Sequence, residues 1–69
     1  MNIERIRKKV TNGFRPFRIC LTDGRKIPVP HPEFIAVGRN IVIVVDKNDD
    51  SVTIDPLHIM ALEEKFVRG

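Results

Sequence analysis

Phe17-Arg18-Ile19-Cys20-Leu21-Thr22-Asp23-Gly24-Arg25-Lys26-Ile27-Pro28-Val29 is the stretch that decides how this chain folds. Phe17, Ile19 and Leu21 alternate with Arg18 and Cys20, the two-residue period of a strand with one face buried. The Asp23-Gly24 pair that follows suits a tight hairpin, because glycine takes a positive φ without a Cβ clash. Ile27 and Val29 then continue the inward face of a return strand. Pro28 and Pro30 point the other way and have no N–H to give to a ladder, so this strand is expected to be an edge or to leave the sheet here.

Downstream, the same grammar repeats. His31-Pro32-Glu33 reads as a bend, Phe34-Ile35-Ala36-Val37 as apolar strand material, and Gly38-Arg39-Asn40 as a second turn. Ile41-Val42-Ile43-Val44-Val45 is β-branched throughout and apolar on both faces, which predicts a central strand covered on each side or buried on one face in a subunit interface. Asp46-Lys47-Asn48-Asp49-Asp50 is a polar turn, and Val52-Thr53-Ile54 a short strand pairing back. Strands this close in sequence, joined by tight links, predict an antiparallel meander that curls into a small barrel.

The two ends differ in clarity. Ile3, Ile6 and Val10 recur at helical spacing, while Arg5, Lys8 and Lys9 fall largely elsewhere on the wheel. Asn2 is a natural N-cap and Asn12-Gly13 a stop, so residues 1–12 are expected to form a helix that covers the sheet. Asp55-Pro56-Leu57-His58-Ile59-Met60-Ala61-Leu62-Glu63-Glu64-Lys65-Phe66 carries a cap, a proline at the first helical position and good helix formers, and local propensity alone predicts a helix. One turn at Pro56-Leu57-His58 followed by a strand from Ile59 to Leu62 is the alternative, since tertiary context overrides propensity. Residues 17–62 thus hold the barrel strands and 63–69 a tail, within a single domain.

Composition narrows the function classes. The chain has 69 residues, 42% hydrophobic and 30% charged, as a foldable globular domain does. At this size natural domains often add a disulfide, a metal or a partner subunit. A single cysteine cannot form an internal disulfide, so oligomerisation is expected. Cys20 alone, no Asn-X-Ser/Thr acceptor, no signal-like apolar start and no apolar run beyond the five residues Ile41–Val45 point to a soluble cytoplasmic protein.

Charge is distributed unevenly. Residues 1–26 hold Arg5, Arg7, Lys8, Lys9, Arg15, Arg18, Arg25 and Lys26 against Glu4 and Asp23, a net +6, whereas residues 27–69 carry a net −3. A basic segment can bind phosphate backbones by counterion release. It can equally dock on the acidic part of another copy, or simply be a solvated face. Arg5, Arg7, Lys8, Lys9, Arg15, Arg18 and Arg25 are therefore the candidate nucleic-acid contacts, and Ile41, Val42, Ile43, Val44 and Val45 the candidate self-association strand.

Other chemistry finds little support. Asp46-Lys47-Asn48-Asp49-Asp50 matches the opening of a calcium loop, but Ser51 replaces the required glycine and Leu57 the bidentate glutamate. His31, His58 and Cys20 lack metal-ligand spacing, and neither Cys20 nor Ser51 has a patterned base. The four glycines are scattered, so no phosphate-cradling loop is present. The reading is a protein that is not an enzyme, with no cofactor, metal, small-molecule substrate or membrane partner. Phe17 belongs to the core by its alternation, which leaves Phe14 as the one ring for stacking on a base.

Two resemblances add to this. Phe14-Arg15-Pro16-Phe17-Arg18-Ile19-Cys20-Leu21-Thr22-Asp23-Gly24-Arg25, with Val29-Pro30-His31-Pro32-Glu33-Phe34, resembles a family of short bacterial proteins of unknown function across most of the chain. More loosely, the chain is similar to the Sm-like fold, a helix on a strongly bent five-stranded barrel that assembles into rings. Leu21-Thr22-Asp23-Gly24-Arg25 is similar to the turn of the first Sm motif, Phe34 falls at its aromatic, and Asn40 lies one place from its asparagine. Ile54-Asp55-Pro56-Leu57-His58-Ile59-Met60-Ala61-Leu62 can be laid on the second motif without gaps, which favours turn plus strand over helix. The Arg-Gly pair of the Sm nucleotide pocket is replaced by Asp55-Pro56, a carboxylate that repels phosphate and a residue without an amide donor.

The resulting expectation is a mainly β fold: an N-terminal α-helix plus a small five-stranded antiparallel Sm/SH3-like barrel. Its expected role is a protein-binding, self-associating module. The alternative is an oligomer that binds RNA or single-stranded DNA with the basic first third.

Overall fold

The computed structural model describes residues 1–64. It is mainly β, with one N-terminal helix, α1 (Ile3–Thr11), and six strands among the described residues: β1 (Phe17–Leu21), β2 (Lys26–Val29), β3 (Ile35–Val37), β4 (Val42–Val45), β5 (Ser51–Ile54) and β6 (Ile59–Glu63). The strands form two antiparallel three-stranded sheets, in the orders β2-β1-β6 and β3-β4-β5.

Helix α1 starts where the Asn2 side chain accepts the Glu4 amide at 2.8 Å, and carries Lys8 and Lys9 at the negative end of its dipole. Ile6 is its one buried residue, with Ile3 and Val10 packed partly against the same core. The expected hairpin follows in β1 and β2. Leu21 and Arg25 close a three-residue loop through the Leu21 amide to the Arg25 carbonyl at 2.8 Å, and Gly24 takes φ 95. That is the geometry for which the glycine is needed. β2 is an edge strand, as its prolines predict.

The strand count departs from the five expected. Between β2 and β3 the chain makes a single 3-10 turn over Pro32–Phe34, and the two strands lie in separate sheets. Pro30 and Pro32 supply no amide hydrogens, and the strand ends before them, whereas Pro28 is tolerated inside β2 opposite Arg18. At the other end, Pro56–His58 forms one 3-10 turn and Ile59–Glu63 is a strand, against the helix that propensity favours. Tertiary pairing decides it: β6 lies along β1 with Ile19 opposite Leu62 and Leu21 opposite Ile59. Glu63 thus closes β6 and does not begin a tail; residues 65–69 of the expected tail lie outside the described residues.

One core unites both sheets and the helix: Ile6, Phe17, Ile19, Leu21, Ile27, Val29, Ile35, Val42, Val44, Ile54 and Ile59. No polar or charged side chain is buried among the described residues. Nor is any helix there long and apolar enough to cross a membrane.

Candidate interaction surfaces

Folding sorts the seven candidate nucleic-acid cations into two groups. Arg7 pairs with Glu4 and also donates to the Gly38 carbonyl at 2.7 Å. Lys9 pairs with Glu64, its ammonium 5.9 Å from the centroid of the Phe17 ring. Arg18 donates through two nitrogens to Glu63, which Lys26 also approaches at 3.8 Å. Arg25 closes its own turn on Asp23 at 2.8 Å. Arg5, Lys8 and Arg15 make no ion pair among the described residues, and all three are exposed. They line one groove of about 610 Å³ together with Lys9, Asn12, Gly13 and Glu64.

The electrostatics follow from these contacts. Burial of the Lys9 ammonium, and then the neighbouring Arg15 guanidinium, draw its pKa below the usual lysine value even though Glu64 is its partner. The Arg18 hydrogen bonds, and the charges of Arg18 and Lys26, hold the Glu63 carboxyl below the usual carboxylate range. The Arg25 amide leads the same effect on Asp23. Glu4 and Asp23 are already counted in the +6 of the first third, so Glu63 and Glu64 answer two of those six charges from the far end of the described chain.

The Ile41–Val45 strand is divided by its own pleat. Val42 and Val44 are fully buried in the core and cannot touch a partner. This corrects the expectation that all five residues serve self-association: a period of two puts alternate residues on opposite faces. Ile41 and Ile43 remain exposed, at 40% and 36%, and Val45 is half-buried. Across the sheet Ile43 stands between Ala36 of β3 and Thr53 of β5, and Val45 stands opposite Ser51. The outer face of this sheet thus carries apolar and small polar side chains and no charge among these positions. Ala36, Ser51 and Thr53 join this face although their sequence neighbourhood marks them only as uncharged residues at matching parity on two short strands.

Asp55 and Pro56 have structural employment. The Asp55 carboxylate accepts the Leu57 amide at 2.9 Å and caps the 3-10 turn. Pro56 is buried, and its carbonyl accepts the Met1 ammonium at 2.7 Å. A hollow of about 350 Å³ opens beside them, lined by Thr22, Asp23, Arg25, Thr53 and His58 among others, in which the Asp23 carboxylate is already bound by Arg25. Among the described residues no three His, Cys, Asp or Glu side chains gather as a metal site. Asp46, at the head of the calcium-like stretch, spends its Oδ1 on the Asn48 and Asp50 amides of a hairpin turn. Phe14, the candidate stacking ring, is half-buried and tilted against Phe17, 5.9 Å between centroids.

Comparison with protein-family models, curated proteins and solved structures finds no match to this chain.

Proposed function

We propose that this protein is a non-enzymatic small β-barrel interaction module that associates with a second copy of itself through the outer face of the β3-β4-β5 sheet. The observation that carries this reading is the makeup of that face. In a chain with 30% charged residues, Ala36, Ile41, Ile43, Val45, Ser51 and Thr53 include none. Charge depletion around exposed β-branched side chains is the compositional mark of an interface centre. An uncharged face repels no copy of itself, so a two-fold axis through Ile43 lets each copy bury the other's apolar surface. The size of the domain favours the same arrangement, since a core this small gains from a partner subunit.

A finer fold reading goes with this proposal. β2 and β3 are taken as the two arms of one bent strand interrupted at Pro30–Phe34. The two sheet orders then join end to end as β6-β1-β2/β3-β4-β5, the order of a five-stranded Sm/SH3-like barrel.

Sedimentation velocity on the wild type and on Ile43→Lys tests the association. The wild type is expected to sediment as a dimer or larger species in the micromolar range, and Ile43→Lys as a folded monomer. A wild type that stays monomeric at all concentrations sinks the reading; so does an Ile43→Lys variant that assembles unchanged.

A further inference from the structure

We propose that the groove between α1 and the Asn12–Arg15 segment binds the sugar–phosphate backbone of single-stranded nucleic acid without reading its bases. This surface is separate from the association face and does not depend on it.

The sorting of cations supports this. Of eight basic side chains in residues 1–26, five have a carboxylate partner within the fold: Arg7, Lys9, Arg18, Arg25 and Lys26. The three without one among the described residues, Arg5, Lys8 and Arg15, come together in a single groove. Arg5 and Lys8 stand three residues apart on α1, hence on one side of the helix, and the turn at Asn12-Gly13 brings Arg15 alongside. Gly13 takes φ 64, which lets the chain double back there.

The one carboxylate among the groove's described residues, Glu64, is engaged by Lys9. Arg5, Lys8, Lys9 and Arg15 against Glu64 leave the described lining with an excess of positive charge. Asp46, Asp49 and Asp50 gather instead in the β4–β5 turn and do not line the groove.

The absence of base reading follows from Phe14. Its ring leans on Phe17, is half-buried and does not line the groove, so the groove holds no ring on which a base stacks. What the groove presents is cationic side chains and the Asn12 amide, which recognise phosphate oxygens.

The test is fluorescence anisotropy with labelled single-stranded RNA of about 20 nucleotides, one mixed in sequence and one of uridine alone, at two salt concentrations. Three phosphate contacts at about −0.7 each predict that affinity falls by about 20-fold between 50 and 200 mM salt, alike for both RNAs. Lys8→Glu/Arg15→Glu is expected to weaken binding by about 10-fold or more, and Arg39→Glu/Lys47→Glu, an equal charge change outside the groove, by less than about 2-fold. Lys8→Gln/Arg15→Gln repeats the test with less disturbance of the helix end, and circular dichroism verifies that each variant folds. Equal losses in the two charge-reversal variants would mean diffuse attraction to net charge and overturn the proposal. Undiminished binding by the folded groove variants overturns it as well, as does a strong preference for one RNA over the other.

Discussion

Arg18 stands directly opposite Glu63 across the β1–β6 ladder, and its guanidinium donates through Nε, at 3.1 Å, and Nη2 to the same carboxylate oxygen. The contact ties the start of the first strand to the end of the last one, so it clasps the strand pair that closes the β2-β1-β6 sheet. Both side chains are partly exposed, which screens the interaction and keeps its contribution modest.

That clasp predicts an acid-sensitive component of stability. Because the folded state holds the Glu63 pKa below its unfolded value, the contribution is present above the unfolded pKa and disappears as pH falls through the folded one. The window lies below about pH 4.3, the ordinary glutamate value. Thermal unfolding of Glu63→Gln should therefore show a lower Tm than the wild type at neutral pH and a gap that narrows steadily as the pH falls below that value. A gap of constant size across that range would show that the clasp owes nothing to the carboxylate charge.

Ile6 is the only fully buried residue of α1 and joins the core shared by both sheets, so it is the deepest apolar anchor of the helix. Ile6→Ala should cost about 2–5 kcal/mol in denaturant unfolding. For a domain of this size, whose whole stability is of order 3–10 kcal/mol, that is a large share. Val10→Ala, at a half-buried site, should cost clearly less. Equal costs at the two positions would mean that the helix is anchored along its length.

Gly24 sits at φ 95 with open space where a Cβ would be. Gly24→Ala therefore meets no clash and isolates the backbone term, an expected loss of about 1–2 kcal/mol from forcing an L-residue into left-handed geometry. An unchanged unfolding midpoint would show that the turn relaxes to another type.

Cys20 is buried at 3% exposure on the central strand of its sheet. Its reaction with a disulfide reagent should be slow in the native protein and should accelerate in Ile6→Ala in proportion to the added unfolded population. Immediate stoichiometric labelling of the wild type would mean that β1 opens locally without global unfolding.

Periodicity and turn chemistry made much of the fold legible. The alternation of Phe17, Ile19 and Leu21, the Asp23-Gly24 turn, the edge character of the Pro28 strand and the Ile3–Ile6–Val10 helix all follow from rules that act over a few residues. Those rules cannot see pairing. Whether residues 56–63 become helix or strand depends on an open edge of β1 some forty residues earlier, and only the assembled sheet supplies it. That β2 and β3 fall in different sheets depends equally on where the Pro32–Phe34 turn, begun by a proline with no amide donor, redirects the chain.

The surfaces divide in the same way. Sequence alone determined that the first third is basic and that the Ile41–Val45 stretch is apolar, because both are sums over composition. Only the tertiary structure decided which charges face water: Glu63 and Glu64 come from the far end of the chain to engage Arg18 and Lys9, and leave Arg5, Lys8 and Arg15 together. It also decided that Val42 and Val44 fill the core while Ile43 lies between Ala36 and Thr53 on an uncharged face. The reason is that charge pairing and sheet faces are properties of contact between residues distant in sequence, and no local pattern encodes a distance.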